Sequence, residues 1–230
     1  MRQLVRPTGL SVLCALASSA FFAQGETLKE LLARMDQSAA TFQGMTAALS
    51  QVQHTAIIED DERDAALVRL KKTKDGLHGY VEFAEPNRRI VGFQNRQLQV
   101  FYPKTNTVDI YDLGKHGSQL DQFLLLGFGT SGKDLEKNYT LRVAGTEVVD
   151  GVPATRLELE PKTKEYLDYM KKVELWIPPT VSYPVKEKIH KNAQDYILIR
   201  YSDVKINSGL TDKDLELHLP PGVKKNYPQR

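Results

Sequence analysis

Apolar residues recur every three or four positions between Leu28 and Phe42, so one side of this segment is apolar. Thr27 and Glu30 precede the apolar run at the spacing of a capping box, in which each side chain accepts a hydrogen bond from the backbone N–H of the other residue. The pattern predicts an amphipathic helix, with Leu31 and Met35 on its apolar side.

From about Thr46 the hydrophobic period changes to two, which is typical of strands with one buried face. Turn signals such as Asp75-Gly76 and Asp150-Gly151 separate the alternating runs. Short strands joined by tight turns favour an antiparallel meander. The chain shows about eleven such runs; the later ones cover residues 139–149, 152–159, 173–177, 185–189, 196–206 and 215–219.

Residues 114–138 interrupt the strands. Leu120, Phe123 and Leu124 suit a short amphipathic helix, and Ser131 can cap another short helical turn. The glycines between and after them predict a flexible hinge at Gly127, Gly129 and Gly132. The same stretch fits a phosphate-loop pattern, but Asp134 stands where a hydroxyl group would hold Mg²⁺ and no βαβ unit surrounds it, so the hinge is the preferred interpretation.

The first 25 residues of the 230-residue chain read as an export signal. Arg2 and Arg6 precede an apolar stretch from Leu10 to Phe22, and small residues follow. Cleavage after residue 25 leaves residues 26–230 as one domain; cleavage after Ala20 and an uncleaved anchor are the alternatives. With 41% hydrophobic residues, 26% charged residues and a mean hydropathy of −0.40, the chain is not a polytopic membrane protein.

Removing the signal leaves 29 basic and 29 acidic residues, because both lost charges are arginines. A neutral chain lacks the basic excess that binds phosphates, which argues against a nucleic-acid partner. The single cysteine, Cys14, leaves with the signal, and the bulky Leu13 before it does not fit a lipid-attachment site. The mature chain is thus expected to lack disulfides and a lipid anchor, and we expect a monomer.

No catalytic constellation stands out in the sequence. The five histidines are far apart, so they predict no metal site, and no serine lies in a G-x-S-x-G elbow. The acidic run at residues 59–62 lacks the spaced oxygens of a calcium loop and reads as a solvated hairpin tip. We therefore expect a protein that is not an enzyme and needs no cofactor.

Several short motifs, in order along the chain, resemble the LolA/LolB family of periplasmic lipoprotein carriers. They are Glu85-Pro86, Ile90-Val91, the stretch 95–103 ending in Tyr102-Pro103, residues 159–162 and residues 217–223. The resemblance implies an unclosed antiparallel β-barrel of about eleven strands, mainly β in class, with helices covering its concave face. It also implies a carrier that takes lipoproteins from an inner-membrane exporter and passes them to an outer-membrane acceptor.

The alternating pattern nominates one strand face as the lining of such a cavity, because an open sheet must cover one face with helices or ligand. The candidate lipid-binding residues are Val68, Leu70, Val81, Phe83, Leu98, Val100, Leu157, Leu159, Leu175, Ile197 and Ile199. The candidate lid residues are Leu31, Met35, Leu120, Phe123 and Leu124. The same residues would equally line the filled core of any β domain.

Two positions depart from the family pattern. Family carriers place an arginine followed by proline at the end of an early strand, where it helps to hold the helical lid shut; this chain has Lys72-Thr73. Lysine lacks the planar fork of arginine, so Lys72 is a candidate for a weaker latch. Arg96 replaces the usual turn glycine. A lipid- or lipoprotein-sensing regulatory or interaction protein of the same fold, and a lipid hydrolase, are the alternative functions.

Overall fold

Twelve strands join into one continuous sheet in the computed structural model, which describes residues 25–94, 96–114 and 124–229. Every neighbouring pair is antiparallel except the last, short strand, which runs parallel to its neighbour. The strands are β1 (Gly44–Thr55), β2 (Asp60–Thr73), β3 (Gly76–Phe83), β4 (Ile90–Gln94), β5 (Gln97–Tyr102), β6 (Thr107–Asp112), β7 (Tyr139–Val149), β8 (Val152–Pro161), β9 (Lys172–Ile177), β10 (Lys186–His190), β11 (Tyr196–Ile206) and β12 (Lys224–Asn226).

The strand order is β12-β6-β5-β4-β3-β2-β1-β11-β10-β9-β8-β7, so the sheet has two free ends and is not closed. Most neighbours are consecutive in sequence, and the pairing of β1 with β11 joins the two meanders. The expected fold class, a mainly β unclosed antiparallel barrel with helices, is therefore confirmed, with twelve strands for the expected number of about eleven.

The predicted helix starts are also confirmed. Thr27 Oγ1 accepts a hydrogen bond from the Glu30 backbone N–H at 3.3 Å, and the Glu30 carboxylate accepts one from the Thr27 N–H at 2.9 Å. Ser131 Oγ accepts a bond from the Asp134 N–H at 3.1 Å. The helices that lie entirely within the described residues are α1 (Leu28–Thr41), α2 (Gly132–Asn138) and α3 (Lys164–Leu167), with 3-10 turns at Ala56–Ile58 and Asp212–Leu215. No helix of the described residues is long and apolar enough to span a membrane.

The last predicted strand, residues 215–219, is wrong. Leu215 ends a 3-10 turn and is 2% exposed, and Leu217 packs against Gly92 on the outer face of the sheet. This segment contacts β2 and β3, whose edges are already paired on both sides, so it can cover the sheet but cannot join it. Its leucines recur at every second position because they are the more buried residues of the segment, whereas Glu216 and His218 between them are exposed.

Some predictions fall on residues that the described part of the chain does not include. These are the signal peptide apart from Gly25, Cys14, and two of the lid candidates, Leu120 and Phe123. The signal peptide, its cleavage and the role of those two side chains stay predictions.

Candidate functional site

The eleven candidate lipid-binding residues lie on one face of the sheet, here called the inner face. Residues directly opposite each other on antiparallel strands point to the same side. Val68 pairs with Val81, which pairs with Val91. On the same face, towards the other end of the sheet, Leu157 pairs with Leu175. The same register connects the remaining candidates, so alternation assigned the side of each correctly. That they bind lipid stays a prediction.

One half of the inner face is sealed by helices; we call it the sealed half, and it spans β7 to β10. Leu157, Leu159 and Leu175 are 0% exposed there. They form a hydrophobic cluster with Leu31 and Met35 of α1, two of the predicted lid residues. Leu135 of α2 and Tyr166 of α3 complete the cover; the whole cluster comprises these and Leu32, Leu126, Tyr139, Met170, Val173, Ile177 and Ile189.

The other half, spanning β1 to β6, is less completely covered; we call it the open half. Val68 and Leu70 are buried at its centre, but Val81, Leu98 and Val100 remain half-buried. Ile197 and Ile199 on β11, at the border between the halves, are half-buried as well. This half therefore presents apolar side chains that the described residues do not bury fully.

Residues 124–132, here called the strap, lie across both halves. Leu126 packs in the sealed half, whereas Leu124 packs in the cluster of the open half. Phe128 meets Tyr201 edge-on with ring centroids 4.8 Å apart and stacks on Tyr183 at 5.8 Å. The strap is thus the described segment that holds the border between the two halves.

The three strap glycines are closely packed. A Cβ atom at Gly127, whose φ is +81°, would lie 2.7 Å from Pro184 Cδ. At Gly129 it would lie 2.6 Å from the Phe42 ring, and at Gly132 2.9 Å from the Leu32 carbonyl oxygen. Close approach is thus a sufficient reason for each glycine, and their role as a hinge stays a prediction.

An ion pair that the sequence analysis missed ties α1 down. The Arg34 guanidinium donates to the Glu26 carboxylate at 2.9 Å and to the Pro178 carbonyl oxygen at 3.2 Å. Glu26 also accepts a bond from the Thr155 hydroxyl of β8 at 3.0 Å. Lys72, the candidate latch, is exposed and forms no ion pair with any described residue, so its role stays a prediction.

Two acids are buried on the inner face of the described chain: Asp64 on β2, whose carboxylate pairs with Arg89 at 2.8 Å, and Glu187 on β10. Glu187 lies opposite Leu175 and Ile199, is 4% exposed, and accepts a hydrogen bond from the Tyr201 hydroxyl at 3.0 Å. Burial raises the pKa of Glu187 to about 7, although the Tyr201 hydrogen bond lowers it. Alternation could have found this residue, because its neighbours Lys186 and Lys188 point outward.

Charged side chains cover the outer face of the sealed half. Glu174 accepts a hydrogen bond from His190 at 2.6 Å and lies 3.5 Å from Lys172. Burial would raise the pKa of Glu174, but this hydrogen bond and the neighbouring cations lower it. Among the described residues, no three His, Cys, Asp or Glu side chains form a group that could hold a metal ion. The network reads as the solvated side of the sheet.

No protein-family model and no curated protein matches the chain. An uncharacterized conserved protein from Thermus thermophilus matches with a TM-score of 0.55 and 14% identity, over 88% of this chain and 99% of that one. MucB, known also from Pseudomonas aeruginosa in complex with MucA, matches with a TM-score of 0.51 and 13% identity. That match covers 83% of this chain but only 62% of MucB, so the chain spans less than two thirds of it.

A LolA superfamily protein, NE2245 from Nitrosomonas europaea, matches with a TM-score of 0.38 and 15% identity, over 84% of this chain and 99% of that one. At these identities the structural matches bear on the fold alone. The chain shares its fold with the Thermus thermophilus protein and with the matched part of MucB, and its membership of the LolA/LolB family stays a prediction.

Proposed function

We propose that the chain is an exported, non-enzymatic carrier that holds the acyl chains of lipoproteins or lipids on its inner face and transfers them towards the outer membrane. The supporting observation is the open half, where the described residues cover only part of an apolar surface that is continuous with the core. Burying acyl methylene groups there contributes about 0.8 kcal/mol each. The proposal includes a cleaved signal peptide, a periplasmic location, and an exporter and an acceptor as partners.

Transfer requires that the ligand can leave, and hydrophobic contact alone provides no switch. The strap is the described segment whose displacement would widen the inner face at the border of the halves, because Phe128 and Leu124 pack there. In this proposal the strap moves when cargo enters or leaves, and α1 stays in place through Arg34 and Glu26.

Native mass spectrometry of protein purified from its own host, with organic extraction of bound species, tests the proposal. We expect a co-purifying acylated peptide or lipid in the wild type. Leu98→Asp places a charge on the open half and should remove at least about nine-tenths of it, because an uncompensated charge is costly in apolar surroundings. Leu67→Asp is the matched control, because Leu67 is 53% exposed and points outward from β2, another strand of the open half.

A clean apo mass of the wild type, also after incubation with lipoprotein-loaded inner membranes, would contradict the carrier function. Equal ligand content in both folded variants would contradict the open half as the binding surface. Circular dichroism and thermal unfolding of each variant establish that it is folded.

The second candidate is a periplasmic lipid- or lipoprotein-sensing regulatory or interaction protein of the same fold. The exposed isoleucines of the turn between β1 and β2 favour it, because proteins cover such surface in complexes. The two functions differ in one measurement: a carrier delivers bound ligand to acceptor membranes, whereas a sensor keeps the ligand and changes its affinity for a partner.

A further inference from the structure

The turn between β1 and β2 exposes two adjacent isoleucines. Ile57 is 90% exposed and Ile58 67% exposed, within the 3-10 turn Ala56–Ile58. A single exposed apolar side chain is ordinary, but turns usually carry polar residues and Gly or Pro. Two large β-branched side chains side by side at a turn therefore call for a physical explanation.

The turn is held in a defined shape. Its closing hydrogen bond runs from the Glu59 N–H to the Ala56 carbonyl oxygen at 3.1 Å, and Glu59 adopts a left-handed φ of 50°. Asp195, in the loop between β10 and β11, accepts a bond from the Ala56 N–H at 2.8 Å and one from the Asn192 side chain at 2.7 Å. A surface ordered before it binds loses less entropy on binding.

Negative charge directly follows the isoleucines. Asp61 forms an ion pair with Arg63 at 2.9 Å and a hydrogen bond with His54 at 2.8 Å. Glu59 and Asp60 form no ion pair with any described residue. The exposed turn therefore combines an apolar tip with two uncompensated carboxylates.

We propose that Ile57, Ile58, Glu59 and Asp60, here called the turn patch, dock a protein partner whose surface has an apolar pocket bordered by lysine or arginine. The isoleucines fill the pocket and the carboxylates speed and orient the encounter with the basic border. An anionic membrane is the disfavoured occupant, because its surface potential repels the two carboxylates. The inference does not depend on what the inner face binds.

The first step of the test is site-specific photo-crosslinking in the native host. The full chain carries benzoylphenylalanine at position 57 or, as a matched control, at position 152. Val152 is also an exposed apolar residue, 44% exposed, next to the turn between β7 and β8. We expect a protein adduct from position 57 that position 152 does not form, and mass spectrometry identifies the protein.

The second step measures the purified complex with that protein, because capture alone does not establish the proposal. Ile57→Ser with Ile58→Ser should weaken binding at least about tenfold, since two isoleucines lose their burial. Glu59→Lys with Asp60→Lys should slow association several-fold and remove its dependence on salt. Val148→Ser with Val152→Ser, which changes exposed apolar residues elsewhere, should leave the affinity unchanged.

Several results would overturn the proposal. One is that position 57 forms no more adduct than position 152. Another is that position 57 forms adducts only with lipid or with a second copy of this chain. A third is that the partner binds both double variants as tightly as it binds the wild type. Flotation of the chain with phosphatidylglycerol vesicles that requires Ile57 and Ile58 would assign the turn patch to membranes instead. Native mass spectrometry should find the same amount of bound ligand in the Ile57→Ser/Ile58→Ser variant as in the wild type. This result separates the test of the turn patch from the test of the carrier function.

Discussion

The sealed half and the open half have the same alternating sequence pattern, yet their inner-face side chains differ in how deeply they are buried. Leu157, Leu159 and Leu175 in the sealed half are 0% exposed, whereas Val81 and Leu98 in the open half are half-buried. The strands of both halves present aliphatic side chains to the inner face. The difference is in the cover: α1, α2 and α3 pack on the sealed half, whereas the strap, Phe42 and Tyr183 pack on the open half.

This comparison separates stability from binding. Fully buried leucines contribute to the free energy of unfolding, because each fills space that a smaller residue would leave empty. Half-buried side chains contribute less to folding and keep apolar surface available to a ligand. We therefore assign the stability of the fold mainly to the sealed half and the proposed binding to the open half.

The largest expected effect contrasts leucine truncations in the two halves. Leu175→Ala should lower the free energy of unfolding by about 3–5 kcal/mol, because it opens a cavity in a fully packed region. Leu98→Ala should lower it by about 1–2 kcal/mol, because less of its surface is buried. Urea unfolding followed by the fluorescence of Trp176, the single tryptophan, measures both. Equal losses would remove the distinction between the halves.

An intermediate effect concerns the strap between the halves. Gly127→Ala should cost about 2–3 kcal/mol, because the new Cβ meets Pro184 at 2.7 Å in a left-handed conformation. Gly151→Ala is the matched control: its φ is +83° and a Cβ there would have no neighbour within 4 Å. The control should cost about 1 kcal/mol for the backbone conformation alone. If urea unfolding shows the same loss for both, close packing does not explain the strap glycine.

The smallest effect depends on pH and concerns Glu187 on β10, opposite Ile199 of the border strand β11. Burial raises its pKa from 4.5 to about 7, so the folded state binds a proton more tightly than the unfolded state. Stability from this group is therefore complete below about pH 4.5 and is lost as the pH rises through about 7. At pH 8, Glu187→Gln should be more stable than the wild type by about 1–3 kcal/mol.

Urea midpoints of the wild type and Glu187→Gln between pH 5 and pH 8 measure this effect, since their difference cancels other titrating groups. Tyr201→Phe is the companion variant: losing its hydrogen bond should raise the pKa of Glu187 and move the loss of stability to higher pH. A difference that stays constant with pH would show that Glu187 does not titrate in this range.

The sequence predicted helix caps and turns correctly, because neighbouring residues determine these features. The capping box at Thr27, the cap at Ser131 and the turns at Asp75-Gly76 and Asp150-Gly151 all follow from neighbouring residues. The prediction of a strand at residues 215–219 was wrong, because alternation indicates only that one side of a segment is buried. It does not indicate that the backbone pairs with another strand. Only the occupied edges of β2 and β3 decide against a strand there.

Contacts between residues that are distant in the chain could not be predicted from the sequence. Nothing in the chain's order indicates that Arg34 bonds both Glu26 and the Pro178 carbonyl oxygen, because those contacts depend on where α1 settles on the sheet. The side on which Glu187 lies follows from alternation, but its burial depends on distant side chains such as Leu175 and Tyr201.

The sequence by itself determined that this chain forms amphipathic strands with one apolar face and a helix to lie against that face, since both follow from spacing. Only the tertiary structure decided which half of the face the helices seal and which half stays partly open. The physical reason is that alternation sets the side on which a residue lies, whereas the depth of its burial depends on which segments, distant in the chain, come to pack on it.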